Sequence, residues 1–351
     1  MPTAKPRASA LGPPFDAVSA IPLLLLFLAC ASVSPGCRRT DPAIGGEVVL
    51  YTSIDEPIAR PILREFERRT GVHVRILTDA ESNKTVGLAE RLCAEKSNPQ
   101  ADVYWGNEVF NTIRLAEEGV LTGYDSPSVR DVPQQYKDPG NRWAANGLRV
   151  RVIANHDGPA AKMLVASRLS DLTDPRFRDH VLMARPTAGT TGGHVAALYV
   201  LWGKERAQKF FQDLRSNGVR LVGGNSIVAD EVGRGTMWAG LTDNDDAAAA
   251  RRDGGQLKTI LPDQQGGEIG TLAIPCTVGL VAGAKHRPAA ERLIDYLLSE
   301  EVERQLVDAQ FAYASVRDGA SAVKAMDVDY RKVAEAMPEA IRDATAILEG
   351  R

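Results

Sequence analysis

The apolar positions change period twice in the first patterned stretch of the chain. Residues 47–53 (EVVLYTS) form a short run, β-branched at Val48 and Val49 and cut off by Ser53, Asp55 and Pro57, which predicts a buried parallel strand ending in a loop. Ile58, Pro61, Ile62, Leu63 and Phe66 then recur at helical spacing; Pro57 suits a first helical turn and Gly71 a stop, so residues 54–70 predict a helix. Val72, Val74 and Ile76 alternate as a second strand. In open α/β sheets ligands bind beyond the carboxyl ends of the strands, which makes the loop at 52–56 a candidate site.

Further strand-like runs fall at 102–105, 149–154, 181–184, 219–222, 237–241 and 272–281. Helical patterns alternate with them at 85–96, 108–118, 193–202, 204–216, 227–233, 288–298 and 300–309. This order predicts an α/β fold with sheets covered on both faces. Extended runs near 149–155 and 271–275 carry little turn chemistry and read as crossings between two lobes. The predicted organisation is a first lobe over 47–150, a second over 155–270, and a return over 271–351 ending in C-terminal helices, with the ligand in the cleft.

Composition alters this picture at the N-terminus. With 351 residues, 44 % apolar and 25 % charged, the chain has room for two domains. Residues 1–36 differ: Lys5 and Arg7 precede the apolar run 21–29 (IPLLLLFLA), which is too short for a bilayer core of about 30 Å and reads as an export signal. Cys37, leading into the polar tether 37–46, is the expected lipidation site; Cys30 and a plain secretory cleavage after Ala29 are the alternatives. Cys93 and Cys276 fall in helix-like and strand-like segments and read as two separate thiols. A net charge of −3 gives no reason to expect nucleic acid.

Four motifs carry chemistry. The loop at 186–192 (PTAGTTG) follows a strand and precedes an apolar helix, so backbone N–H groups and the hydroxyls of Thr187, Thr190 and Thr191 around Gly189 would converge on an anion; simple helix capping is the plainer reading. Asn225 and Ser226 at the next helix start have the same dual reading. Arg149 and Arg151, two apart in a strand, project from one face and could fork an anion or form an interlobe salt bridge. The five histidines lack zinc-site spacing, and His194 alone is placed to face a cleft. The acidic run 242–246 (TDNDD) could equally be a solvated turn capping a helix that begins near Ala247.

Taken in order, LYTSIDEPIARPIL, ADVYWGNE, LRVRVIAN, ARPTAGTTGGH, GGNSIVADEV, LTDNDDA, IPCTVGLV and LIDYLLSEEVE resemble the periplasmic solute-binding proteins of ABC importers, in the group that includes ferric-ion-binding proteins. The resemblance covers roughly 47–317. It implies a two-lobed type II periplasmic-binding fold, lobe closure over a ligand that includes Ser53 and Asn107 among its contacts, a monomer, and an inner-membrane permease as partner. It also implies Fe³⁺ or another hard cation held with phosphate or carbonate. The family's histidine position falls on Asp55, its glutamate on Asn107 or Glu108, and its tyrosine pair on Asn244 and Asp245. Asp55, Glu108, Asp243 and Asp245 would make a hard anionic cluster that departs from the tyrosine-based ferric site. A phosphonate or phosphorylated solute, with or without an amine, is the alternative ligand. A phosphate hydrolase using Mg²⁺ on Asp243, Asp245 and Asp246, and a purely structural envelope protein, are readings of other classes.

Overall fold

Strand β1 (Gly46–Thr52), helix α1 (Glu56–Thr70) and strand β2 (Val72–Thr78) realise the opening pattern. The strands pair in parallel, with Gly46 opposite Val72 and Thr52 opposite Thr78. Pro57 lies in the first turn of α1, and Gly71 closes it in the left-handed conformation (φ 71°), its N–H donating to Glu67 O at 2.8 Å. Ala59, Ile62, Leu63 and Phe66 are buried along the inner face, and each of the three larger side chains contributes about 1.5–3 kcal/mol.

The computed structural model describes residues 46–79, 86–159, 164–187, 189–318 and 323–350. The export segment, Cys30, Cys37, the tether up to residue 45 and Ala188 lie outside the described residues. After β2 come α2 (Val86–Ala94), β3 (Val103–Gly106), α3 (Phe110–Glu117), β4 (Leu121–Thr122) and the long β5 (Ala144–His156). They are followed by β6 (Val181–Ala184), α4 (Gly189–Trp202), α5 (Lys204–Ser216), β7 (Arg220–Val222), α6 (Asn225–Arg234) and β8 (Ala239–Asp243). The remainder comprises α7 (Asn244–Arg252), β9 (Leu257–Ile260), β10 (Ala273–Val281), α8 (Arg287–Leu297), α9 (Glu300–Asp308) and α10 (Tyr330–Glu349).

The strand order β2-β1-β3-β10-β5-β8-β6-β7 gives a two-lobed mixed α/β architecture joined through β5. The first part of β5 pairs antiparallel with β10, ending at Val150 opposite Ala273; from Arg151 onward it pairs antiparallel with β8, beginning at Asp243. β1, β2 and β3 are parallel to one another, as are β6, β7 and β8. One core packs Val48, Leu50, Phe66, Trp105, Val278 and Leu297, and another packs Val150, Val152, Leu182, Val228 and Ala247.

Helix α4 starts at Gly189, four residues before the expected Gly193, so the Thr-Gly motif is helical rather than loop. A Cβ on Gly193 would lie 2.0 Å from the Phe110 ring, and one on Gly192 would lie 2.9 Å from Ile341 Cδ1. These two glycines let α3 and α10 pack directly on α4. No helix among the described residues is long and apolar enough to cross a membrane.

Candidate functional site

Five strands deliver the predicted residues at or just beyond their carboxyl ends. β1 leads to Ser53, β3 to Asn107, β6 to the start of α4, β7 to Asn225, and β8 ends on Asp243. The first two are pinned together: the Ser53 hydroxyl donates to Asn107 Oδ1 at 3.1 Å, and the Asn107 N–H donates back to Ser53 Oγ at 2.9 Å. The Asn107 carbonyl in turn accepts from Arg149 Nη1 at 3.2 Å.

Arg149 and Arg151 both turn toward the acidic run at the β8–α7 junction. Arg149 Nη2 donates to both oxygens of Asp245 (2.6 and 2.7 Å) and to Asp243 Oδ2 (3.1 Å). Arg151 Nη1 donates to Asp243 Oδ1 at 2.7 Å and to Asn225 Oδ1 at 3.0 Å. Thr190 Oγ1 donates to Asp243 Oδ2 at 2.7 Å, Asn225 Nδ2 donates to Thr190 Oγ1 at 3.0 Å, and Thr191 Oγ1 donates to Asn225 Oδ1 at 3.1 Å. The starts of α4, α6 and α7 are thereby tied into one buried network. It is asymmetric electrically. Burial opposes ionisation of Asp243, yet Arg151 and Arg149 hold its pKa below the usual carboxylate range. Burial dominates at Asp245 and pushes it up despite Arg149, with Asp243 and Asp55 adding to the push.

Three guanidinium donors in this network have no hydrogen-bond partner, Arg149 Nε and Arg151 Nε and Nη2, nor has the buried ring nitrogen Nε2 of His194, whose role depends on the tautomer. His194 is 2 % exposed, and burial together with the Arg151 charge lowers its pKa to about 3, so the imidazole is neutral at neutral pH. Such donors in a dry interior favour an oxygen-rich group brought to them.

The other candidates are placed as follows. Glu108 is buried, and its carboxylate accepts the N–H groups of Phe110 (2.6 Å) and Asn111 (3.2 Å), capping α3; burial pushes its pKa up. Asp55 is half-buried at the start of α1, where its backbone carbonyl accepts from Ile58 and Ala59. Asn244 uses its side chain on backbone: Oδ1 accepts from Val150 N at 2.8 Å and Nδ2 donates to Phe311 O at 3.0 Å. Thr187 is exposed, Gly189 takes φ 59° at the helix start, and Ser226 is half-buried in the first turn of α6. Asp243, Asp245 and Asp246 can bring one oxygen each within 4.8 Å of one another. Phe311, whose ring lies 5.3 Å from the Arg149 guanidinium, escaped sequence reasoning, since a loop phenylalanine carries no periodic signal. Cys93 and Cys276 are both free thiols; burial pushes Cys276 up to about 12.

A family profile described as bacterial extracellular solute-binding protein matches residues 101–336. The iron uptake protein A1 of Synechocystis sp. is 25 % identical over 297 residues, 82 % of this chain and 81 % of that protein. A putative 2-aminoethylphosphonate-binding periplasmic protein of Salmonella typhimurium is 26 % identical over 247 residues, 69 % of either chain. The apo ferric ion-binding protein A of Pasteurella haemolytica superposes with a TM-score of 0.75 at 19 % identity, covering 86 % of this chain and 97 % of the other, which is likeness of fold.

Proposed function

We propose, for a chain that belongs to the bacterial extracellular solute-binding proteins, that it captures a small solute bearing a phosphonate or phosphate group and hands it to the permease of an ABC importer. The proposed lobes follow the predicted boundaries, with the solute enclosed where β1, β3, β6, β7 and β8 end. Export as a lipoprotein anchored through Cys37 completes the proposal.

One observation carries the choice of solute: two buried guanidiniums already occupy Asp243 and Asp245. A multivalent cation on those carboxylates would sit within contact range of Arg149 and Arg151, a like-charge arrangement in a weakly screened interior. An oxyanion would instead meet the unpaired edge of Arg151, the neutral His194 and the first turns of α4 and α6. The 2-aminoethylphosphonate named for the Salmonella relative has this chemistry, with an ammonium group suited to the acidic side.

A hard cation with phosphate or carbonate is the second reading. The Asp243, Asp245 and Asp246 triplet favours it, as does the iron named for the Synechocystis relative. Fe³⁺ would there be cargo, with Asp55 offering a further oxygen. Calorimetry with 2-aminoethylphosphonate in excess EDTA separates the readings. The proposal expects saturable binding that Arg151→Ala weakens at least tenfold. Binding that EDTA abolishes, or stoichiometric iron that survives in Arg151→Ala, overturns it in favour of the cation. Turnover of a phosphate ester would move the chain to the hydrolase class.

A further inference from the structure

At the junction of β8 and α7 the chain changes face with every residue. Asp243 and Asp245 turn to the arginines, while Asn244 between them is 9 % exposed and turns to backbone. The register explains which backbone. β5 pairs with β8 from Arg151 opposite Asp243, so the next rung would place Val150 opposite Asn244. There the chain has already turned into α7, and the Asn244 side chain supplies the missing acceptor, Oδ1 taking Val150 N–H at 2.8 Å. Val150 is also the last residue of β5 paired with β10, opposite Ala273, and is thus the point where the strand passes from one set of partners to the other.

The other end of the same amide reaches the return segment after α9. Nδ2 donates to Phe311 O at 3.0 Å, and the Phe311 ring stacks under Arg149. That segment is fastened to β5 through Leu148, whose N–H donates to Ala314 O at 2.8 Å and whose carbonyl accepts from Tyr313 N at 2.7 Å. Beside Asn244, between α7 and this segment, lies a groove of about 310 Å³ lined by Val152, Ala248, Arg251 and Tyr313.

We infer that Asn244 is a positioning residue that fixes the angle between the lobes. By binding the pivot at Val150 and the return segment at Phe311, it holds the start of α7 where Asp243 and Asp245 meet Arg149 and Arg151. The inference rests on the proposed lobe closure but on no particular solute. Its side-chain oxygen and nitrogen are both engaged with backbone.

Small-angle scattering of the exported protein with no solute added tests this separately from the solute. Asn244→Ala loses both bonds, and Asn244→Asp keeps the acceptor for Val150 while losing the donor to Phe311. Both variants are expected to show a larger radius of gyration than the parent, with a cooperative melt retained. An unchanged radius in either folded variant overturns the inference, and a lowered melting temperature with unchanged radius assigns Asn244 a purely structural role. Should Asn244→Ala fail to fold, Asn244→Asp decides alone.

Discussion

Two clusters of two arginines and two carboxylates sit in opposite surroundings. On the outer face of α1, Glu65 meets Arg68 and Arg69, and Arg69 also meets Glu301 on α9. Hydrogen bonds from Arg68 and Arg69 hold Glu65 down at about 2. At the centre, Arg149 and Arg151 meet Asp243 and Asp245 with side chains at most 9 % exposed. The outer cluster is wetted and screened, so its geometry is one of many of similar energy. The inner one has lost its water, and any member left unmatched is an uncompensated charge. The same pairing of guanidinium with carboxylate therefore decorates a surface in one place and specifies a position in the other.

Removing a partner should break the comparison most visibly. Arg151→Met leaves Asp243 short of its nearest cation and is expected to cost about 3–5 kcal/mol in urea unfolding, with Arg151→Met combined with Asp243→Leu recovering much of it. A loss under about 1 kcal/mol would mean the inner cluster is as wet as the outer one. Next in size is the pH dependence set by His194. Its folded pKa of about 3 lies below the unfolded value near 6.5, so the unfolded chain binds the extra proton. Stability should fall by about 1.4 kcal/mol per pH unit between those values, and be unaffected above them. His194→Gln is expected to remove that slope, and equal slopes in parent and variant between pH 6 and 4 would refute burial of the ring. The smallest effect belongs outside: Glu301→Gln should change stability by about 1 kcal/mol or less, and a larger change would promote the outer cluster to a structural tie.

Sequence pattern carried the opening β1-α1-β2 unit because Pro57, Gly71 and a single apolar stripe agree. It also carried β6 and α5 to their ends. α10 was not delimited within the expected C-terminal helices: its buried positions include Val333, Ala340 and Ala344, and alanine contrasts weakly with polar neighbours. β9 (LKTI) buries only Leu257 fully and leaves no period to read. Within the candidate site, Thr190, Asn225 and Asp243 were legible as polar residues at element ends, and Arg149 and Arg151 as a pair two apart along one strand. The backbone-directed roles of Glu108 and Asn244 were not, because the first depends on where α3 begins and the second on the register of β5 against β8.

The position of β10 in the strand order has a consequence for synthesis. β3 lies between β1 and β10, and its pairing of Val103 with Leu280 joins residues far apart along the chain. A chain emerging from its N-terminus thus carries β3 with one edge unpaired until residue 281 has been made, and β5 has no neighbour on that side before then. Such distant contacts fold slowly. The sheet order thus delays completion of the first lobe until β10 has been made. A truncation before β10 would leave the first lobe's sheet incomplete, since β3 and β5 would lack the strand that lies between them.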